Sequence, residues 1–182
     1  MIASLGMYPF AHLRDSYDRL WEAVSTRLDG APALLAHELD LHSAWRHPSL
    51  LVGQTCGWPL VTALPDAVVI GAFELNAPFA VGGRYRSVIV SNKPVSASRS
   101  QLAAVNGVDS LSGWVSLCSA LGGAPDAVLE TGAHAESVRA VAEGRAEIAS
   151  IDAMSFEFLA ESQPALVGRL HIVSHGPLVP SL

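Results

Sequence analysis

The stretch from Leu102 to Leu121, LAAVNGVDSLSGWVSLCSAL, constrains this chain more than any other. It reads as a buried strand over Leu102 to Val105, a tight turn at Asn106-Gly107, and a helix that starts near Ser110. Asp109 or Ser110 can cap that helix, because a short side-chain oxygen accepts hydrogen bonds from the orphan N–H groups of the first turn. Gly113 keeps Cβ bulk out of the first turn, and Gly122-Gly123 supplies the left-handed residue on which helices commonly stop. A glycine-bearing turn and two hydroxyls, Ser110 and Ser112, at a helix start form a ready anion site, since free N–H groups and the dipole point at a ligand. A plain cap has the same pattern, so the neighbouring segments must decide between the two.

Ile2 to Met7 is an apolar run that predicts a first strand, with Tyr8-Pro9 as its exit. Over Asp15 to Leu28, helical spacing puts Tyr17, Leu20, Trp21, Val24 and Leu28 on one face. Asp29-Gly30-Ala31-Pro32 stops that helix, Leu34 to Leu39 predicts another strand, and His42 to Pro48 a short helix or loop. Leu50 to Gly53 runs into Gln54-Thr55-Cys56-Gly57, a second strand-to-turn junction bearing polar groups and a glycine. Val68 to Phe73 and the β-branched run Tyr85 to Ser91 predict strands on either side of a turn at Gly82-Gly83. Asn92 to Ser100 is polar and reads as a surface connection. Beyond Gly123, strands are expected over Ala127–Glu130, Glu147–Ile151 and Arg169–Ser174, helices over Ala135–Glu143 and Met154–Glu161, and an extended tail over His175–Leu182.

Strands alternating with helices in near-continuous apolar runs indicate an α/β fold with parallel sheets. Ligands of such sheets bind beyond the carboxyl ends of the strands. Four predicted strand ends carry polar or small residues there: Gln54 to Gly57, Asn106 to Gly113, Gly132 to His134, and Asp152.

Composition removes several classes. A net charge of −6, with 11 Lys and Arg scattered along the chain, argues against a nucleic-acid partner. No apolar run approaches the ~20 residues of a membrane span. The start, MIASLGMYPFAHLRD, has neither a basic segment nor a long apolar core, so no signal peptide is read there. That leaves a cytoplasmic protein, or a mature or truncated form. Cys56 and Cys118 lack C-x-x-C spacing and read as reduced, with Cys56 a candidate to line a site. The seven His residues form no H-E-x-x-H motif, and His42 and His47 read as surface or capping residues, so no metal site is expected.

The order of these segments resembles the substrate-binding proteins of phosphate/phosphite/phosphonate-type ABC transporters. The resemblance is carried by GQTCGWPLVT (Gly53 to Thr62), YRSVIVS (Tyr85 to Ser91), AAVNGVDSLSGW (Ala103 to Trp114) and TGAHAESVRAVAEGRAEIASIDA (Thr131 to Ala153). It implies an α/β, two-lobed type II periplasmic-binding-protein-like fold, with a mainly parallel sheet in each lobe and a cleft between them. Its lobes would be residues 1–84 and 85–174, with a tail, 175–182, returning towards the first lobe. It implies that Ser110 and Ser112 hold the anion's oxygens, that His134 helps bind it, and that Asp152 takes a ligand amine or stays near the cleft floor. Gln54, Thr55 and Cys56 would be the first lobe's contribution, Tyr8 would line the cleft, and Tyr85 and Ser87 would lie near the hinge. The implied partners are a small anionic ligand and an ABC permease, with no cofactor and a periplasmic location.

The chain departs from this pattern. Leu111 stands where related proteins often carry another hydroxyl, and where family members usually return to the first lobe with further helices, this sequence stops at Leu182. That lobe would be incomplete or completed by another subunit, for instance in a dimer. The alternatives kept open are a cytosolic enzyme on the same scaffold acting on a small organic acid, with His134 and Asp152 or Cys56 as its reacting set, and a ligand sensor.

Overall fold

The computed structural model describes residues 1–75, 77 and 79–181. Its chain divides into two compact units, Met1–Thr55 and Cys56–Leu182. Leu182, the last residue of the expected tail, lies outside the described residues.

In the first unit, β1 (Ile2–Ser4) pairs in parallel with β2 (Leu50–Gly53), and α1 (Arg14–Ser25) and α2 (Leu41–Trp45) lie between them in sequence. Trp21 of α1 packs with Ala3 and Leu35 in a small core, joined by Leu5, Tyr17 and Val52. The predicted helix face is only partly used: Trp21 is 2% exposed, whereas Leu20, Val24 and Leu28 are 38%, 38% and 41% exposed. A two-stranded sheet offers too little surface to cover the whole apolar stripe. Leu34 to Leu39 is a series of bends rather than a strand. Its Leu35 is buried and Ala36 N–H donates to Ala3 O, but at the surface His37 Nε2 meets Asp18 Oδ1 at 2.6 Å and Glu38 pairs with Arg14.

The second unit opens with α3 (Gly57–Ala63), a helix where the sequence suggested only a turn. A hairpin of β3 (Ala80–Val81) and β4 (Arg84–Tyr85) follows, turning at Gly82-Gly83 as expected. The run Val68 to Phe73 is not a strand: Val68 and Ile70 are each 83% exposed, and none of the described strands pairs with it. An apolar β-branched run acquires strand structure only where a neighbouring strand and a buried face receive it.

The main sheet has five strands in the order β7-β6-β8-β5-β9. They are β5 (Ser87–Ser91), β6 (Leu102–Val105), β7 (Ala127–Glu130), β8 (Ile148–Asp152) and β9 (His171–His175). β6 runs parallel to β7 and β8, whereas β5 runs antiparallel to β8 and β9, so the sheet is mixed rather than mainly parallel. The Leu102–Leu121 unit forms β6, a π turn over Leu111–Val115 and α4 (Ser116–Leu121), which Gly122 ends at φ +70°. α5 (His134–Ala142) joins β7 to β8, and α6 (Ala153–Ser162) and α7 (Pro164–Val167) join β8 to β9. Ile89, Ala103, Val105, Leu117 and Ile148 form the centre of the core, flanked by Trp114, Leu121 and Val173. The tail contributes β10 (Val179–Pro180), which pairs antiparallel with β4. Among the described residues, no helix is long and apolar enough to cross a membrane.

Candidate functional site

Because β6, β7 and β8 run parallel, their carboxyl ends lie along one edge of the sheet. Three of the four polar strand ends read from the sequence sit on that edge: Asn106 to Gly113, Gly132 to His134, and Asp152. The fourth, after β2, belongs to the first unit up to Thr55, while Cys56 belongs to the second.

Ser110 caps the helical segment, its Oγ accepting from Gly113 N–H at 2.9 Å. Ser112 Oγ lies 2.9 Å from His134 Nε2 and 3.5 Å from Ser110 Oγ. Ser110, Ser112 and His134 therefore meet where two helical segments begin. Gly113 is required there: a Cβ at this position would lie 1.8 Å from Asn106 Oδ1 and 3.1 Å from Ser110 Oγ. Thr131 fixes the start of α5 from the other side, its hydroxyl donating to Val105 O at 3.0 Å and meeting Ser137 Oγ at 2.7 Å.

His134 is half-buried and burial alone lowers its pKa from 6.5 to about 4, so the imidazole is neutral at pH 7. Its Nδ1 is buried without a hydrogen-bond partner, as is Asn106 Oδ1. Asp152 ends β8 and caps α6, accepting from Ser155 N–H at 2.9 Å. Tyr85 is fully buried, and its hydroxyl forms no hydrogen bond. Burial, and then the negative charge of Asp152, push its pKa well above the usual tyrosine range, while the Ser112 side chain acts in the opposite direction. Tyr85 thus lies near enough to both Asp152 and Ser112 for each to influence its proton. Cys56 is buried beside the Leu111 and Trp58 amides, and burial raises its pKa, assisted by Asp109 and Asp152. A thiol held protonated in this way is a poor nucleophile.

In the first unit, Tyr8 and Gln54 are 6% and 5% exposed. Gln54 is held by three bonds: its N–H to Ser4 O, its carbonyl from Trp45 Nε1, and its Oε1 from Met7 N–H. Tyr8 follows Met7 directly, so both residues sit in one neighbourhood, with Thr55 half-buried at the end of the unit. Among the described residues, no three His, Cys, Asp or Glu side chains are grouped as metal ligands.

The sequence reading included Asn106 in a candidate strand end but missed Thr131, Ser137 and Ser150 as members of this neighbourhood. Ser150 carried a usable signal, because a hydroxyl in the middle of a continuous apolar strand needs a buried partner.

No protein-family model matches the sequence, and no curated protein matches it. Solved structures share its fold. One is the binding protein component of an ABC phosphonate transporter from Pseudomonas aeruginosa, 16% identical, with a TM-score of 0.62 over 91% of this chain and 62% of that one. Another, a structural-genomics protein from Archaeoglobus fulgidus, is 13% identical, with a TM-score of 0.53 over 88% of this chain and 56% of that one. The chain thus spans less than two thirds of the length of either.

Proposed function

We propose that this chain is a solute-binding protein that captures a small oxyanion, of the phosphate, phosphite or phosphonate class, for ABC-type uptake. The observation that carries this reading is the convergence of Ser110, Ser112 and a neutral His134 at the start of two helical segments. Hydroxyls, an imidazole N–H and helix-start amides offer short donors to tetrahedral oxygens, and the helix dipoles favour negative charge there. The fold shared with a phosphonate-transporter binding protein supports it. In this reading, residues 1–84 and 85–174 are the two lobes of a type II periplasmic-binding-protein fold, and Tyr8, Gln54, Thr55 and Cys56 approach the ligand from the first lobe. Asp152 takes a ligand amine or closes the cleft floor, an ABC permease is the partner, and the location is periplasmic.

A thermal-shift series with phosphate, phosphite, methylphosphonate, 2-aminoethylphosphonate, sulfate and small carboxylates tests this. A ligand at ~100 times its dissociation constant adds roughly 2.7 kcal/mol to the folded state. A shift with a phosphorus oxyanion that disappears in the Ser110→Ala, Ser112→Ala double variant supports the reading. A shift with carboxylates alone would replace it.

One observation favours an enzyme instead: a Ser–His pair at 2.9 Å has the spacing of a nucleophile and its base. A base works best when its pKa lies near the working pH, and His134 lies far below it at about 4. Stoichiometric labelling of Ser112 by a fluorophosphonate would restore the enzyme reading.

A further inference from the structure

The helical segment that carries Ser112 opens with one α-type bond, Trp114 N–H to Ser110 O at 3.0 Å, and then slips to a wider register. Val115 N–H bonds Ser110 O at 3.1 Å, five residues back, and Ser116 N–H bonds Leu111 O in the same register. In an α-helix, Ser116 N–H would serve the Ser112 carbonyl. The π turn removes that donor, and a buried carbonyl left without one is costly. Two strand hydroxyls take its place: Ser87 Oγ donates to Ser112 O at 3.0 Å and Ser150 Oγ at 2.6 Å. Ser87 lies on β5 and Ser150 on β8, which are paired neighbours in the main sheet, and both are buried. Two donors fill both lone pairs of one carbonyl, so the turn is anchored to two strands at a single atom.

We infer that Ser87 and Ser150 are positioning residues that clamp the Ser112 carbonyl, hold the π turn against relaxation to an α turn, and so present Ser112 Oγ to His134 Nε2. Isolated π turns inside helices recur at functional sites because they redirect side chains that an α turn would carry elsewhere. Relaxation to the α register would rotate Ser112 about the helix axis and break its bond to the imidazole. The anion-binding consequence rests on the function proposed above, whereas the effect on the Ser112–His134 pair does not.

The test uses the full chain without ligand. The ¹⁵N shifts of the neutral His134 ring report the bond to Ser112, since that bond selects the tautomer. In Ser87→Ala, Ser150→Ala and the double variant, these shifts move towards those of a free imidazole, most in the double variant. Ser91→Ala is the control: Ser91 is equally buried on β5, but its hydroxyl accepts from Lys93 N–H and does not reach the turn. This control leaves the ring shifts unchanged, and Ser150→Thr, which keeps the hydroxyl, restores them. Unchanged ring shifts in both single alanine variants overturn the inference, even if the double variant does not fold. Affinity for phosphate or methylphosphonate then falls roughly tenfold in the alanine variants and not in Ser91→Ala. If the ring shifts move as expected but no oxyanion binds the wild-type protein, the clamp stands and the proposed ligand class fails.

Discussion

Ser112 Oγ and His134 Nε2 lie 2.9 Å apart across 22 positions of sequence. The contact exists because two parallel strands deliver the starts of two successive helical segments to the same sheet edge. One hydroxyl and one neutral imidazole are thereby paired where neither could be placed by its local sequence. Hydrogen bonds to a charged group are the stronger kind, so this pair dominates the expected response to an anion.

Replacing Ser112 by Ala removes a donor to the proposed ligand and leaves the His134 ring without its partner. Affinity for the best phosphorus oxyanion should fall between roughly 10-fold and 100-fold, the range for one hydrogen bond to a charged acceptor. Isothermal titration of wild-type protein and Ser112→Ala measures it, and an unchanged dissociation constant would remove Ser112 from the site.

The folded-state pKa of His134, about 4, lies below its ordinary 6.5, so the unfolded chain binds the proton more readily. The corresponding stability is fully present above pH 6.5, is lost progressively as the pH falls, and reaches its full loss below about pH 4. At about 1.4 kcal/mol per pH unit between the two values, the loss is about 3 kcal/mol at most, since the ring is half-buried. Urea unfolding of wild-type protein and His134→Asn across this window checks it. The variant should show a flatter dependence on pH, and parallel curves would refute the assignment.

Gly113→Ala places a Cβ against Asn106 Oδ1, where the two would be 1.8 Å apart, and must displace that side chain or the turn. A loss of about 1–3 kcal/mol is expected, as for overpacking in a dense region. A denaturant midpoint equal to wild type would show that the turn has more room than this geometry allows.

Tyr85→Phe deletes a buried hydroxyl that makes no hydrogen bond. Removing an unsatisfied polar group of this kind is close to neutral or stabilising. A loss above about 1.5 kcal/mol would mean that the hydroxyl takes up a partner in solution.

Val68→Thr and Ile70→Thr alter side chains that are each 83% exposed. Stability should stay within about 0.5 kcal/mol of wild type, because surface substitutions away from special features rarely do more. Had the run been the buried strand that its composition suggests, each change would cost several times that amount, and thermal unfolding separates the two cases.

The local chemistry of the chain determined much of this structure. The apolar runs Leu102–Val105 and Ala127–Glu130 are strands, the run Arg169–Ser174 supplies most of the strand His171–His175, Ser110 caps the helical segment, and Gly122 ends it in the left-handed region, since each depends on a few adjacent residues. Tertiary structure decided what depends on partners. Val68 to Phe73 has strand composition but meets none of the described strands, and α1 exposes half of its apolar stripe because the sheet beside it has only two strands. The mixed strand directions, the π register of Leu111–Val115 and the anchoring of the Ser112 carbonyl by Ser87 and Ser150 were likewise out of reach. A cap is satisfied within one turn of chain, but a carbonyl displaced from its helical donor takes its partners from whichever strands the fold lays beneath it.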